Sequence, residues 1–344
     1  MKAFTFKKYG EASVLNMQEL PKPTPKSNEI LVRVIATSVT AGDWRIRSGK
    51  PFAIRLFAGL FKPKNPVLGH EYAGVVEQVG EEVKGWKQGD KIFGGTGLES
   101  GTYSEYMLID SDKAMEKIPE GVSFEEAAVV PVGYMTAYDF LKKVNVKPNM
   151  KVLIHGISGS VGSAILQLLK LENAHVTGVC SSKNANWVKR MGADKVIAYD
   201  LEDLESNLEN YDLIVNAVGK TSFQELKHCL VSTGVYIAID AAGSDYVDWA
   251  KGKILKDSRQ IILGIGNQYQ EDLSRIQKLL AKGFIRPHID RIYTFEELPA
   301  AHDYVQKGRK AGNVAIRVEN SDPFFSQSFS NSAQGFGLDT KVGS

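Results

Sequence analysis

The sequence predicts an α/β chain in which a doubly wound parallel sheet is joined to a smaller, partly open β-barrel. Three observations predict it. Short apolar runs alternate with helical patterns from residue 151 to residue 263. A glycine turn with the spacing G-x-x-G-x-x-G follows the first of those runs. Before residue 120, many short strand-like runs are separated by glycine turns, the pattern of a small barrel.

The turn organises the chain. In KVLIHGISGSVGSAILQLLK, residues 151–170, the run Val152, Leu153, Ile154 suits a strand buried on both faces. Gly156, Ser158, Gly159, Ser160, Val161 and Gly162 form the turn, and Ile165, Leu168 and Leu169 continue at helical spacing. Glycines let the backbone bend and approach an anion. The helix N-terminus then offers free N–H groups and the positive end of its dipole. These residues are the expected cradle for a pyrophosphate.

In chain order, strands are expected at 2–6, 14–19 and 30–34, the last two joined by the proline-rich PKPTPKSNE, and then at 75–79 and 91–93. Residues 50–66 form an insertion rich in Phe, Leu, Pro and Lys, read as a surface loop. At Ser123 the period changes. Ser123 with Glu126 three residues on makes a capping box, opening helices over 123–130 and 134–144. Strands follow at 151–155, 175–180, 196–199, 213–218, 235–239 and 261–263, with helices at 160–171, 184–190, 222–230 and within 246–256. A helix at 273–282 stopped by Gly283, a strand at 289–294, a helix at 295–307 and a strand at 313–318 close the ordered pattern. The division expected is therefore 1–122 with 270–320, then 123–269 between them. Residues 321–344, rich in Ser, Gly and Phe, are expected to be an extension without regular structure.

Composition narrows the function. A net charge of +2 over 344 residues lacks the basic imbalance of a nucleic-acid partner, so none is expected. No apolar run is long enough to span a membrane, and no membrane partner is expected. The start, MKAFTFKKYG, alternates like a strand and carries no apolar leader pattern. The only cysteines, Cys180 and Cys229, leave no clustered thiols, so a reducing cytoplasm is the expected compartment.

The segments GHEYAGVVEQVG (69–80), GDKIFG (89–94), PVGYMTAY (131–138) and GISGSVG (156–162) together resemble the medium-chain dehydrogenase/reductase superfamily, in its zinc-free quinone oxidoreductase-like branch. The likeness runs from about residue 1 to residue 318. It implies a GroES-like catalytic domain in two sequence pieces with a Rossmann domain between them, and a homodimer.

In zinc members of that superfamily the catalytic metal is held by Cys, His and Cys with a nearby Glu. Thr40 and Val132 stand at the two cysteine positions here, while His70 and Glu71 stand at theirs. One histidine with one carboxylate falls short of the three protein ligands a catalytic zinc takes, so no metal is expected and His70 is read as a structural histidine. The lobe with four structural cysteines is absent between residues 89 and 106.

The cofactor expected is NADPH. An acid ending the second Rossmann strand would hold the ribose 2′-hydroxyl of NAD and repel a 2′-phosphate. Cys180 stands there, followed by Ser181, Ser182 and Lys183, two hydroxyls and an ammonium suited to a phosphate dianion. By the resemblance, Tyr199 lies by that phosphate, and Thr136 and Asn313 face the cofactor. Asn216, Val218 and Gly219 end the fourth strand, and Gly264 and Ile265 follow the sixth, where a ligand sits on the carboxyl edge of such a sheet.

Hydride transfer is the cofactor's own chemistry, and the protein must supply a site for developing negative charge. Thr40, Asp43 and Arg45 lie on the segment that carries the proton relay in the zinc enzymes. The relay serine is replaced by Gly42, and the Asn and Tyr of related quinone reductases by Thr40 and Arg45. Thr40, Asp43, Arg45 and Tyr134 are the candidate catalytic residues. The expected partner is a small-molecule electron acceptor, a quinone or another activated carbonyl or enone. Enoyl-thioester reduction is the alternative, with Arg45, Arg47, Lys50, Arg55, Lys62 and Lys64 as a basic entrance. A non-enzymatic NADPH sensor or crystallin-like protein is the other.

Overall fold

A computed structural model describes residues 1–97, 99–241, 243–255 and 258–318. The extension expected over 321–344 lies outside the described residues. The first part of the chain forms β1 (Lys2–Thr5), β2 (Asn16–Glu19), β3 (Glu29–Ser38), β4 (Glu71–Val79), β5 (Lys91–Gly95), β6 (Tyr106–Asp110) and β7 (Met115–Lys117). Helices α1 (Ala41–Ser48) and α2 (Ile54–Ala58) fall between β3 and β4. Next come α3 (Phe124–Ala128), a π-helical turn Pro131–Met135 and α4 (Thr136–Leu141).

The middle of the chain alternates β8 (Lys151–His155), α5 (Ser160–Leu171), β9 (His175–Cys180), α6 (Ser182–Arg190), β10 (Lys195–Ala198), α7 (Leu204–Asn207), β11 (Tyr211–Asn216), α8 (Phe223–Leu226), β12 (Leu230–Ala238), α9 (Gly243–Leu255) and β13 (Gln260–Leu263). The chain ends with α10 (Gln270–Ala281), β14 (Ile289–Thr294), α11 (Leu298–Gln306) and β15 (Asn313–Arg317).

The middle strands form one parallel six-stranded sheet in the order β10-β9-β8-β11-β12-β13. The order reverses between β8 and β11, which opens a crevice at the carboxyl ends of those two strands. The pleat explains the apolar runs. Val152 and Ile154 enter one core with Ile165, Leu166, Leu213 and Val215, while Leu153 points to the other face with Ile214 and Tyr236.

The remaining strands form a mixed seven-stranded sheet, β14-β15-β3-β4-β5-β7 with β6 also paired to β3, together with a β1–β2 ribbon. Its strands come from both ends of the chain. Its core holds Phe4, Ile30, Val32, Tyr72, Ile92 and Ile316, with Phe4 and Phe295 meeting edge to face at 5.2 Å. The fold is thus the GroES-like plus Rossmann arrangement.

Some elements differ from the sequence reading. The strand expected at 14–19 begins at Asn16, because a 3-10 turn takes Ala12–Val14. The helix expected at 123–130 is shorter, since Pro131 opens the π-helical turn. Helix α1 was not anticipated, as its one apolar stripe is weak and Gly42 lies inside it; its Thr40–Asp43 capping box was the available signal.

Candidate active site

The turn after β8 is built for close approach. Gly156 adopts φ +83°, and a Cβ there would lie 2.3 Å from Cγ1 of Val218. A Cβ on Gly162 would lie 2.3 Å from the Gly156 carbonyl oxygen, so α5 packs directly on the turn. Gly159 caps α5 with extended backbone, and Ser160 and Val161 form its first turn. The N-terminus of this twelve-residue helix therefore points into the crevice with its amides free for an anion. The geometry fits a dinucleotide pyrophosphate.

The turn is also tied to the other domain. The Gly312 N–H donates to the Ser158 carbonyl at 2.7 Å, and Gly159 bridges Gly312. Asn184 Nδ2 donates to Ser158 Oγ at 3.1 Å. The π-helical turn presses on the cradle, since a Cβ on Gly133 would meet Ser160 Oγ at 2.6 Å. That contact brings Val132 and Thr136 to the crevice. The loop after β13 covers Thr136, with Gly266 packed on it, while Gly264 and Ile265 remain exposed.

Several expected cofactor residues hold the protein itself. The buried Asn216 side chain donates to the Thr221 carbonyl and to Tyr236 Oη, and accepts from the Val218 and Gly219 N–H groups. It shapes the turn and leaves Val218 against Gly156. Asn313 donates through both its backbone and its side chain to the His288 carbonyl.

At the end of β9, Cys180 is buried, and burial pushes its thiol up to about 11, with the Asp200 carboxylate adding to the rise. Ser181 and Ser182 begin α6, Lys183 donates to the Arg309 carbonyl at 3.0 Å, and Tyr199 is exposed beside them. Asp200 was not anticipated. Its carboxylate accepts from the Ser182 N–H at 2.7 Å and from Ser182 Oγ at 2.8 Å, and these bonds hold it below the ordinary carboxylate range.

Across the crevice, Thr40 caps α1. Thr40 N–H and Oγ1 donate to Asp43 Oδ2 at 2.7 and 2.6 Å, and the Asp43 N–H donates to Thr40 Oγ1 at 3.2 Å. The other carboxylate oxygen, Oδ1, meets His70 Nδ1 at 2.6 Å. Asp43 is fully buried and His70 nearly so. Burial opposes both charges, but each partner outweighs it: Asp43 is held below its ordinary range and His70 is raised above 6.5. Beside them Glu71 accepts from Ser38 Oγ and from the Val132 N–H at 2.7 Å, and burial pushes its carboxyl up to about 7.

The structure thus brings Thr40 and Asp43 together with His70, which sequence reasoning had set aside as merely structural. Arg45 lies on the same helix but is engaged in an ion pair with Asp240, beyond the end of β12. Tyr134 lies elsewhere. It is 2% exposed in the Rossmann core, and its hydroxyl accepts from Gln167 Nε2 at 2.7 Å. The catalytic reading of Tyr134 is therefore replaced by a packing one, because the turn of Pro131–Met135 directs its ring against α5. Lys310 was also missed. Burial lowers its ammonium to about 8, and it donates to the Gly312 carbonyl within the field of Glu71.

The relatives of the chain make it an oxidoreductase. Residues 26–120 match the model of the alcohol dehydrogenase GroES-like domain, and residues 191–316 that of the zinc-binding dehydrogenase. A chloroplast envelope quinone oxidoreductase homolog of Arabidopsis thaliana is 30% identical over 335 residues, covering 92% of this chain and 98% of its own. The quinone oxidoreductase of Coxiella burnetii superposes with a TM-score of 0.83 at 29% identity, covering 93% of this chain and 99% of its own. That of Escherichia coli, complexed with NADPH, gives 0.78 at 25% identity, covering 92% and 100%. The chain belongs to the medium-chain dehydrogenase/reductase superfamily, among its quinone oxidoreductase-like members.

The second of those family descriptions carries a metal, and the residues at the corresponding positions do not fit one. Thr40 and Val132 offer no thiolate, and His70 with Glu71 falls short of the three protein ligands a catalytic zinc takes. Among the described residues no group of three His, Cys, Asp or Glu side chains converges on a common point.

Proposed function

We propose that the protein catalyses NADPH-dependent, zinc-independent reduction of a quinone or another activated carbonyl or enone. The observation that carries this reading is the cradle of Gly156 and Gly162, whose missing Cβ atoms let Val218 and α5 pack directly on the turn and so set the N-terminus of α5 for a pyrophosphate, with the Thr40–Asp43–His70 cluster on the facing domain. When bound, the cofactor supplies the hydride. The chain's own residues do the rest. Ser160 and Val161 present amides to the pyrophosphate, while the Gly159 N–H closes the turn on the Gly156 carbonyl. Thr136, with the loop 264–266 over it, orients the nicotinamide end. The Asp43–His70 pair holds a proton next to the position where an acceptor oxygen gains charge, with Thr40 fixing the carboxylate. Arg45 positions α1 through Asp240 rather than meeting the acceptor.

Panels of quinones, enones, aldehydes and enoyl thioesters, each scored by NADPH oxidation with and without a chelator, test the reading. Turnover of quinones or enones unchanged by chelator is expected. Exclusive turnover of enoyl thioesters, activity lost with chelator, or no turnover at all would each replace it.

The preference for NADPH rests on Cys180 in the acid position and on Ser181, Ser182 and Lys183 beside it. Asp200 works against it, since its carboxylate already takes the Ser182 donors that a 2′-phosphate would use. One charge facing a phosphate dianion at about 5 Å in water predicts that Asp200→Asn tightens NADPH binding roughly tenfold and leaves NADH unchanged. Titration of cofactor fluorescence reads both constants, and equal gains for the two cofactors would sink the argument. Wild-type affinity for NADH equal to that for NADPH would overturn the preference itself.

We also read the protein as a cytoplasmic homodimer. Among the described residues strand β13 is an unpaired sheet edge, and Tyr246, Val247 and Trp249 of the adjacent α9 are exposed. Sedimentation as a monomer at micromolar concentration would refute the dimer.

A further inference from the structure

We propose that residues 50–64 form a docking surface for an anionic lipid membrane, on which the protein lies without crossing it. Within this segment Phe52, Leu56, Phe57, Leu60 and Phe61 all face solvent, Phe61 at 88% exposure. Soluble surfaces scatter such side chains singly, and a cluster of five marks a contact site.

The segment is held from beneath. Tyr9 Oη donates to the Gly59 carbonyl, and the Lys64 N–H donates to Ala58 at 2.8 Å. Arg55 donates to the Gly49 carbonyl at 3.2 Å and lies over the Tyr9 ring at 4.6 Å. Gly59, at φ +122°, makes the sharp bend, where a Cβ would meet the Lys62 carbonyl at 2.1 Å. The aromatic side chains are therefore presented outward by an ordered base.

Charge selects the partner. From Trp44 to His70 the chain carries no acid, while Lys50, Lys62 and Lys64 are exposed around the apolar residues. Lys7 and Lys8 join this rim, because Phe6 donates to the Pro66 carbonyl at 2.9 Å and Thr5 bridges Val67. The neighbouring Glu11 accepts from Gln306 Nε2. A second copy of the chain would set like charge against like. A phosphate-bearing thioester would satisfy the lysines and leave the outward rings in water. An anionic bilayer meets both, with headgroups at the lysines and acyl chains at the rings. The expectation of no membrane partner rested on the lack of a spanning run. No helix among the described residues is long and apolar enough to cross a membrane, and a segment lying on the surface needs none.

Flotation of the full chain with vesicles of phosphatidylcholine, alone or mixed with phosphatidylserine, tests this. Binding is expected only to the mixed vesicles and should fall at least about tenfold between low salt and 0.5 M salt. Phe57→Ser with Phe61→Ser, and separately Lys62→Glu with Lys64→Glu, should each abolish flotation while leaving the circular dichroism and melting temperature unchanged. Absence of binding at low salt, or equal binding to neutral vesicles, overturns the proposal. So does a dimer that the phenylalanine pair dissolves in the absence of vesicles, or long-chain acyl-coenzyme A binding that the lysine pair abolishes while flotation persists.

Discussion

Asp43→Ala is expected to cost about 3–5 kcal/mol of folding stability, the range for stripping one partner from a buried ion pair. Asp43 is fully buried and accepts from His70 and from both donors of Thr40. Its loss strips the imidazole of its hydrogen-bonded counter-charge, leaving only the field of Glu71, and removes half the capping box of α1, which itself contributes about 1 kcal/mol. Asp43→Asn keeps part of the cap and should fall between wild type and the alanine variant. Urea unfolding at neutral pH measures both, and a loss under about 1 kcal/mol for the alanine variant would mean that the pair contributes no net coupling.

The pH dependence follows from the same pair. Asp43 has its folded value lowered, so its contribution is present above the ordinary carboxylate range and is lost as pH falls through the folded value. His70 has its folded value raised, so its contribution is full below 6.5 and is lost as pH rises through the folded value. The wild-type excess over Asp43→Ala should therefore be greatest between the two and shrink on either side. An excess independent of pH would show that the two groups are not linked.

Gly162→Ala is the second large effect. The new Cβ would stand 2.3 Å from the Gly156 carbonyl oxygen and 2.9 Å from Cα of Ile157, both backbone atoms that cannot swing aside. Overpacking of this kind costs about 1–3 kcal/mol. Moving α5 off the turn also weakens the helix-terminus contribution to anion binding, up to about 2 kcal/mol, so cofactor affinity should fall on the order of tenfold or more. Cofactor titration alongside thermal melting separates the two losses. Wild-type affinity in the variant would mean that the pyrophosphate does not depend on this packing.

The two halves of the molecule differ in how much could be read from residues alone. The parallel sheet was legible because each of its strands shows a local apolar run and four of its five crossovers a helical period, the short α7 between β10 and β11 being the exception, and because Gly156 and Gly162 are required by local backbone geometry. The barrel was less so. Strands β6 and β7 are defined by partners far along the chain, Glu29–Arg33 and Ile92–Gly94, rather than by their own pattern. Asp200 escaped for a related reason. The acid was sought at the end of β9, but a carboxylate arrives there from the neighbouring strand, since Ala198 pairs with Cys180 and sets Asp200 beside Ser182. His70 was judged by the ligands missing around it, and only folding brings Asp43 to its ring. Tyr134 looked like a donor because sequence cannot say which way a ring leaves an irregular helical turn.

The bond from Gly312 to Ser158 bears on motion. Two backbone atoms at 2.7 Å allow little play, whereas Arg45 and Asp240 meet through side chains that are 30% and 35% exposed and free to extend. When one domain swings on another, short rigid links stay near the hinge axis and longer flexible ones follow the arc. The axis of any such swing therefore runs close to the phosphate turn. The end of the crevice that Arg45 and Asp240 bridge is then the one with room to widen, while the turn at Gly156–Gly162 keeps its place.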